Sequence, residues 1–156
     1  MNTPDISDQY PNLPFLLNFK SFGGISNFSG EVVTLKCNDD NSLVRSILSE
    51  PGQSRVLVVD GNASENVALL GDNLASLAIE NNWSAVVIHG CVRDVVELQQ
   101  LNVAVFALNT CPKKSSKNNT GSRSIDLLIN NVVIKEGYWL YGDHNGILVS
   151  SEKLAQ

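Results

Sequence analysis

Apolar positions along this chain change period several times, and each change marks an element. In Glu31-Val32-Val33-Thr34-Leu35-Lys36-Cys37, the residues Val33, Leu35 and Cys37 alternate with polar neighbours. That two-residue period is the signature of a strand with one buried face. Residues 38–42 offer several helix caps, and Leu43, Val44, Ile47 and Leu48 then recur at helical spacing before Pro51-Gly52. Residues 55–60 (Arg-Val-Leu-Val-Val-Asp) are almost continuously apolar, which predicts a strand covered on both faces. The chain turns at 61–64, and a short helical stretch is expected to lead to Leu69-Leu70-Gly71. From Asp72, the residues Leu74, Leu77, Ala78 and Ile79 form a helical stripe that ends at Asn81-Asn82. A second buried strand is expected at 85–89, closed by Gly90, then a short helix at 92–100 and a strand at 103–107.

The ends of the chain read differently. Pro4, Pro11 and Pro14 make residues 1–18 an irregular lead-in with room for a short helix, and glycines punctuate a loop at 22–30. Residues 112–121 form a polar loop, and the remainder reads as antiparallel strands at 124–129, 132–135, 137–139 and 146–150. The pattern predicts one mixed α/β domain over residues 1–156, its alternating strand–helix centre set between β-rich ends.

Composition narrows the function classes. At 156 residues with 43% hydrophobic and 17% charged, the chain is long enough and apolar enough to bury a core. A formal charge of −5 opposes direct nucleic-acid binding and suits a basic protein partner. The only Lys/Arg cluster is Lys113, Lys114 and Lys117 in the polar loop. Three cysteines lack metal-ligand spacing; Cys37 and Cys91 read as small buried residues. With no signal-like or membrane-length apolar run, the expected location is the cytoplasm. No G-x-G-x-x-G follows the strand ending at Asp60, so a dinucleotide-binding or methyltransferase reading finds no support.

One constellation carries candidate chemistry. Twenty residues separate Asp72 from Arg93-Asp94, room for a helix, a turn and a strand, so the two segments can meet again at one end of a sheet. The first amides of a helix have no intrahelical partner and lie at its positive end. Gly71, Asp72, Asn73 and Leu74 occupy that place, and the absent side chain of Gly71 leaves room for a ligand carboxylate. Arg93 would grip the same anion in a fork. Asp94 would offer a hard oxygen to a divalent metal such as Mg²⁺, for which one protein carboxylate is enough when water and substrate oxygens fill the other positions. Such a metal would polarise a 2-oxo group, with Asp72 handling a proton nearby. The bland counterpart is a solvated Arg-Asp pair and an ordinary capping Asp. His89 reads as a polar strand-end residue, His144 and Asp143 as turn residues, and Trp83 and Trp139 as packing residues.

These motifs, in this order, resemble the RraA-like family. The resemblance rests on Phe22-Gly23-Gly24, Phe28-Ser29-Gly30-Glu31, residues 33–37 and 56–61, Gly71-Asp72-Asn73-Leu74-Ala75, Asn82-Trp83, residues 86–94 and Gly142-Asp143-His144-Asn145-Gly146-Ile147. It covers roughly the whole chain. It implies a swivelling β/β/α-type α/β fold with a mixed sheet flanked by helices, and a homotrimer with sites between subunits. It further implies one of two activities. The first is a class II aldolase that cleaves 4-hydroxy-4-methyl-2-oxoglutarate, a small 2-oxo acid, and decarboxylates oxaloacetate with Mg²⁺ or Mn²⁺. The second is a regulator that inhibits ribonuclease E, gripping basic segments of the ribonuclease or of an RNA helicase. By the aldolase pattern Gly71, Asp72, Asn73, Leu74 and Arg93 bind substrate, Asp72 and Arg93 are catalytic, and Asp94 holds the metal. Two departures stand out. Longer aldolases bring a C-terminal acidic residue to the neighbouring metal site, a place for which Glu152 is the candidate here. The turn at 62–66 (Asn-Ala-Ser-Glu-Asn) also carries less glycine and less positive charge than the family pattern.

Overall fold

The structure is a computed structural model that describes residues 2–155. Its centre is a parallel array built from β3 (Phe28–Lys36), β4 (Val56–Asp60), β6 (Ala85–Val92) and β7 (Ala104–Thr110), side by side in that order. Three helices lie in the crossovers: α2 (Ser42–Leu48), α3 (Asp72–Glu80) and α4 (Val95–Leu98). The continuous apolar run of β4 is explained by its central position. Leu57 and Val59 join the buried cluster that holds Val44, Ile47, Leu74, Ala75, Ala78 and Leu98 of the helices. Val56 and Val58 face the opposite cluster. All four valine and leucine side chains are fully buried, each contributing roughly 1.5–3 kcal/mol through removal from water.

Antiparallel strands complete the sheet. β11 (Trp139–Asp143) pairs with the first half of β3, β12 (Gly146–Ser150) with β11, and β1 (Phe15–Leu16) with β12. At the other edge β2 (Lys20–Ser21) pairs with β7. Short strands β5 (Ala68–Leu70) and β8 (Ser122–Arg123) pair with β6 and β3. A separate hairpin, β9 (Leu127–Ile129) and β10 (Val132–Ile134), turns at Asn130-Asn131. Its Leu127, Ile129 and Ile134 cover the face of the sheet opposite the helices. The Glu136 carboxylate fastens the hairpin's return to β3, accepting hydrogen bonds from the Thr34 amide (2.7 Å) and hydroxyl (3.0 Å). The lead-in contains α1 (Thr3–Gln9), capped by the Asn2 side chain.

Four expectations are corrected. Residues 65–70 hold no helical stretch: they bend into β5, whose residues pair with Cys91 and Val92. Gly90 does not close β6, because β5 and β7 offer backbone partners on both sides up to Val92. The helix expected at 92–100 shrinks to α4, since residues 92–94 are taken up by the end of β6 and by Asp94, which sits in the left-handed region (φ 60°). The strand expected at 124–129 shortens to β9, because Ser124, also left-handed (φ 60°), turns the chain after β8. Among the described residues no helix is long and apolar enough to cross a membrane.

Candidate active site

The pairing of β5 with β6 assembles the candidate site. The Arg93 amide donates to the Leu70 carbonyl at 3.0 Å, so Gly71 and Arg93-Asp94 leave the sheet side by side. Gly71 is the N-cap of α3 and has no side chain to satisfy the helix start. Asp94 does so from the neighbouring strand: its Oδ2 accepts the Asp72 amide hydrogen at 3.1 Å. The left-handed backbone of Asp94 makes this reach, a conformation Asp tolerates better than most residues. An added Cβ at Gly71 would collide with Asp94 Oδ2, so close approach rather than a positive φ requires the glycine (φ −134°).

All six sequence-predicted positions, Gly71, Asp72, Asn73, Leu74, Arg93 and Asp94, line one cleft of about 180 Å³. Asp72 and Asp94 are both half-buried. Burial first, then the neighbouring Asp94 carboxylate, holds the Asp72 carboxyl above its ordinary value. Arg93 Nη1 donates to the Pro112 carbonyl at 3.3 Å, which orients the guanidinium along the rim.

Sequence reasoning missed the other half of this cleft. Asn41 at the N-cap of α2 and Arg45 within it, with Lys114, Ser115 and Lys117 of the polar loop, also line it. The loop is drawn there by Asp40, a buried residue whose carboxylate accepts from the Ser42 amide (2.9 Å) and hydroxyl (2.7 Å), the Asn118 amide (2.8 Å), and the Thr120 amide (3.2 Å) and hydroxyl (2.9 Å). Burial alone would raise its pKa; the hydrogen bonds outweigh that and hold it well below the carboxylate range. Lys117 Nζ donates to Asn41 Oδ1 at 3.0 Å. The lysine cluster was visible in the sequence, but not its destination.

Other candidates fall elsewhere. His89 lies inside β6, not at a strand end, and Nδ1 pairs with the buried Asp60 at 3.1 Å. Asp143 is the turn residue expected, accepting from the Asn145 amide (2.8 Å), and it also holds Thr3 through its amide and hydroxyl (2.8 and 2.7 Å). Trp83 is buried and donates to the Glu50 carbonyl, while Trp139 is half-buried. Glu152 lines a different cleft with Tyr10, Leu13 and Leu154. Asn62 and Ala63 both adopt positive φ (58° and 55°), the physical reason glycine is expected in that turn.

Among the described residues no group of three or more His, Cys, Asp or Glu is placed to hold a metal ion. Two adjoining carboxylates, Asp72 and Asp94, nevertheless fit Mg²⁺ or Mn²⁺, which takes one or two carboxylates and completes its shell with water and substrate oxygen.

Comparison with known proteins identifies the lineage. The family model described as RraA-like, Aldolase/RraA, matches residues 3–149. The chain belongs to the RraA-like family. A relative from Photobacterium profundum, named "Putative 4-hydroxy-4-methyl-2-oxoglutarate aldolase", is 48% identical over 155 residues, spanning 97% of this chain and 94% of its own. The solved structure of the RNA-processing inhibitor RraA from Thermus thermophilis superposes with a TM-score of 0.96 at 43% identity, covering 99% of this chain and 95% of that one. A structure from Geobacillus kaustophilus, described as an S-adenosylmethionine: 2-dimethylmenaquinone methyltransferase, gives 0.94 at 42% identity, covering 99% and 97%. The RraA-like fold is thus the mixed α/β architecture read from the sequence, and three different activities are attached to its relatives.

Proposed function

We propose that this RraA-like protein is a divalent-metal-dependent class II aldolase that cleaves 4-hydroxy-4-methyl-2-oxoglutarate to two pyruvates and decarboxylates oxaloacetate as a side activity. The observation that carries this reading is the convergence of Asp72, Asp94, Arg93 and the start of α3 on one small cleft. Asp94, with Asp72 beside it, would hold the Mg²⁺ or Mn²⁺. When bound, the cation supplies Lewis-acid polarisation of the substrate's 2-oxo group.

The remaining chemistry belongs to the chain. Arg93 and the Asn73 and Leu74 amides bind the carboxylate of the 2-oxo acid head. Asp72 is the proton acceptor; burial first, then the Asp94 carboxylate, raises its pKa, which makes it a stronger base than a free carboxylate. Its carboxylate takes the proton from the 4-hydroxyl as the C3–C4 bond breaks, and returns it to C3 of the departing pyruvate unit. The protein is proposed to work as a cytoplasmic homotrimer.

Pyruvate release from both substrates, with Mg²⁺ and with EDTA, tests the reading in wild type, Arg93→Ala and Asp94→Ala. Metal-dependent turnover lost in both variants is expected. Turnover no greater than the metal-only background, or full activity in either variant, sinks it.

The Thermus RraA match favours a second reading, a protein-binding regulator that inhibits ribonuclease E. An acidic chain of net charge −5 suits a basic segment of that ribonuclease or of an RNA helicase rather than RNA itself. Unchanged ribonuclease E activity on addition of the purified protein removes this reading.

A further inference from the structure

Several cations of this acidic chain gather at one cleft. Of its 11 Lys and Arg residues, Arg45, Arg93, Lys114 and Lys117 all line the 180 Å³ cleft. Among the described residues none of the four is ion-paired. Arg93 and Lys117 have neutral partners, the Pro112 carbonyl and the Asn41 side chain. Arg45 and Lys114 are exposed, and their side chains make no hydrogen bond among the described residues.

Their backbones, by contrast, are fixed. The Arg45 amide donates to the Asn41 carbonyl at the start of α2. Lys114 forms a bridge with Ala68, next to the Lys113 carbonyl that accepts the Ala68 amide hydrogen at 2.8 Å. Two long cations on fixed stems therefore face the same small space from α2 and from the loop.

Charge and size together define what fits. A 2-oxo monocarboxylate carries one negative charge, which Arg93 and the α3 amides satisfy. It leaves Arg45 and Lys114 without an anion. The cleft, about 180 Å³, has room for a small acid between these cations. We propose that Arg45 and Lys114 form a second anion grip, which takes the distal carboxylate of a 2-oxo dicarboxylate whose 2-oxo acid head lies at Arg93 and Asp94. The inference rests on the lyase reading for the orientation of the head. It assigns to these two side chains the selection of dicarboxylates over monocarboxylates.

Binding tests this without catalysis. Calorimetric titrations in MgCl₂ use 2-oxoglutarate, which has a distal carboxylate, and pyruvate, which has none. Arg45→Gln and Lys114→Gln are each expected to weaken 2-oxoglutarate about tenfold, the loss of one charge-assisted hydrogen bond at an exposed site. Pyruvate affinity is expected to hold in both, which also reports that the variants are folded. Arg45→Lys is expected to keep part of the 2-oxoglutarate affinity, because charge survives while the fork does not. An unchanged ratio of the two affinities, or an equal loss for both ligands, overturns the grip, as does a wild type that binds neither. Turnover of 4-hydroxy-4-methyl-2-oxoglutarate is measured separately. Turnover with an unchanged ratio removes the grip and leaves the lyase; a lost ratio without turnover does the reverse.

Discussion

Replacing Gly71 by alanine perturbs one contact and little else. The backbone there is extended (φ −134°), so alanine meets no conformational penalty of the left-handed kind. Its methyl group, however, falls on Asp94 Oδ2 and lies 3.4 Å from Arg93 Cγ. The carboxylate must swing away and give up the 3.1 Å hydrogen bond from the Asp72 amide. A hydrogen bond to a charged group is worth about 1.5–3 kcal/mol, and exchanging glycine for alanine at a helix N-cap costs about 1 kcal/mol more. Gly71→Ala is therefore expected to lose about 2.5–4 kcal/mol of unfolding free energy. If Asp94 holds the cation from this position, metal-dependent pyruvate release falls roughly 10- to 100-fold, at 1.4 kcal/mol per tenfold. Mn²⁺ titration and chemical denaturation measure the two effects apart. In an Asp94→Ala background the collision disappears, and Gly71→Ala should then cost only the capping difference. Equal costs in the two backgrounds, or wild-type turnover and Mn²⁺ affinity in Gly71→Ala, would refute the reasoning.

Three further outcomes are expected. The Asp40 carboxyl is held below its ordinary value, so its contribution to stability is present above pH 4 and is lost as the pH falls towards the folded-state pKa. Denaturation of Asp40→Asn should show lower stability at neutral pH and a flatter decline on acidification than wild type; parallel curves would deny Asp40 that role. Ala63 sits at φ 55°, and Ala63→Gly should add about 0.5–1 kcal/mol, the relief of left-handed strain less the added freedom of the unfolded chain, seen as a rise of about 1–4 °C in Tm. Among the thiols, burial first and then the charges of Asp40, Asp60 and Asp39 push Cys37 up to about 12. Cys91 is raised as well, chiefly by burial, whereas Cys111 is partly exposed. A disulfide reagent at pH 8 should label Cys111 quickly in the native protein and all three thiols only on unfolding; fast native labelling of Cys37 would contradict its burial.

What the sequence made legible was whatever a local period or a fixed spacing encodes. The unbroken apolar run of β4 announced a strand between two cores, and those cores are the helix face and the hairpin face. The spacing from Asp72 to Arg93-Asp94 matched one crossover, and β5–β6 pairing closes it. Illegible were features decided by partners distant in the chain. Three residues, Ala68–Leu70, are too few to carry a strand period, and they become β5 only because Cys91 and Val92 lie alongside. Gly90 breaks a local pattern but not a strand flanked on both sides. Arg45 and Lys114 belong to separate elements, and long-range bonds, foremost those to Asp40, bring the polar loop to α2.

Asp94 shows why the candidate site was nonetheless readable in outline. Its left-handed backbone sends Oδ2 across to cap α3, a task that leaves Oδ1 without a hydrogen-bond donor among the described residues. A carboxylate has lone pairs enough to do both things at once, accept an amide hydrogen on one oxygen and ligate a cation with the other. Gly71 must lack a side chain for the cap to form, and Asp72 must follow it to supply the amide. The four residues Gly71, Asp72, Arg93 and Asp94 are thus one structural unit before any ligand arrives, so a sequence able to build this helix start already places two carboxylates and a guanidinium at one cleft.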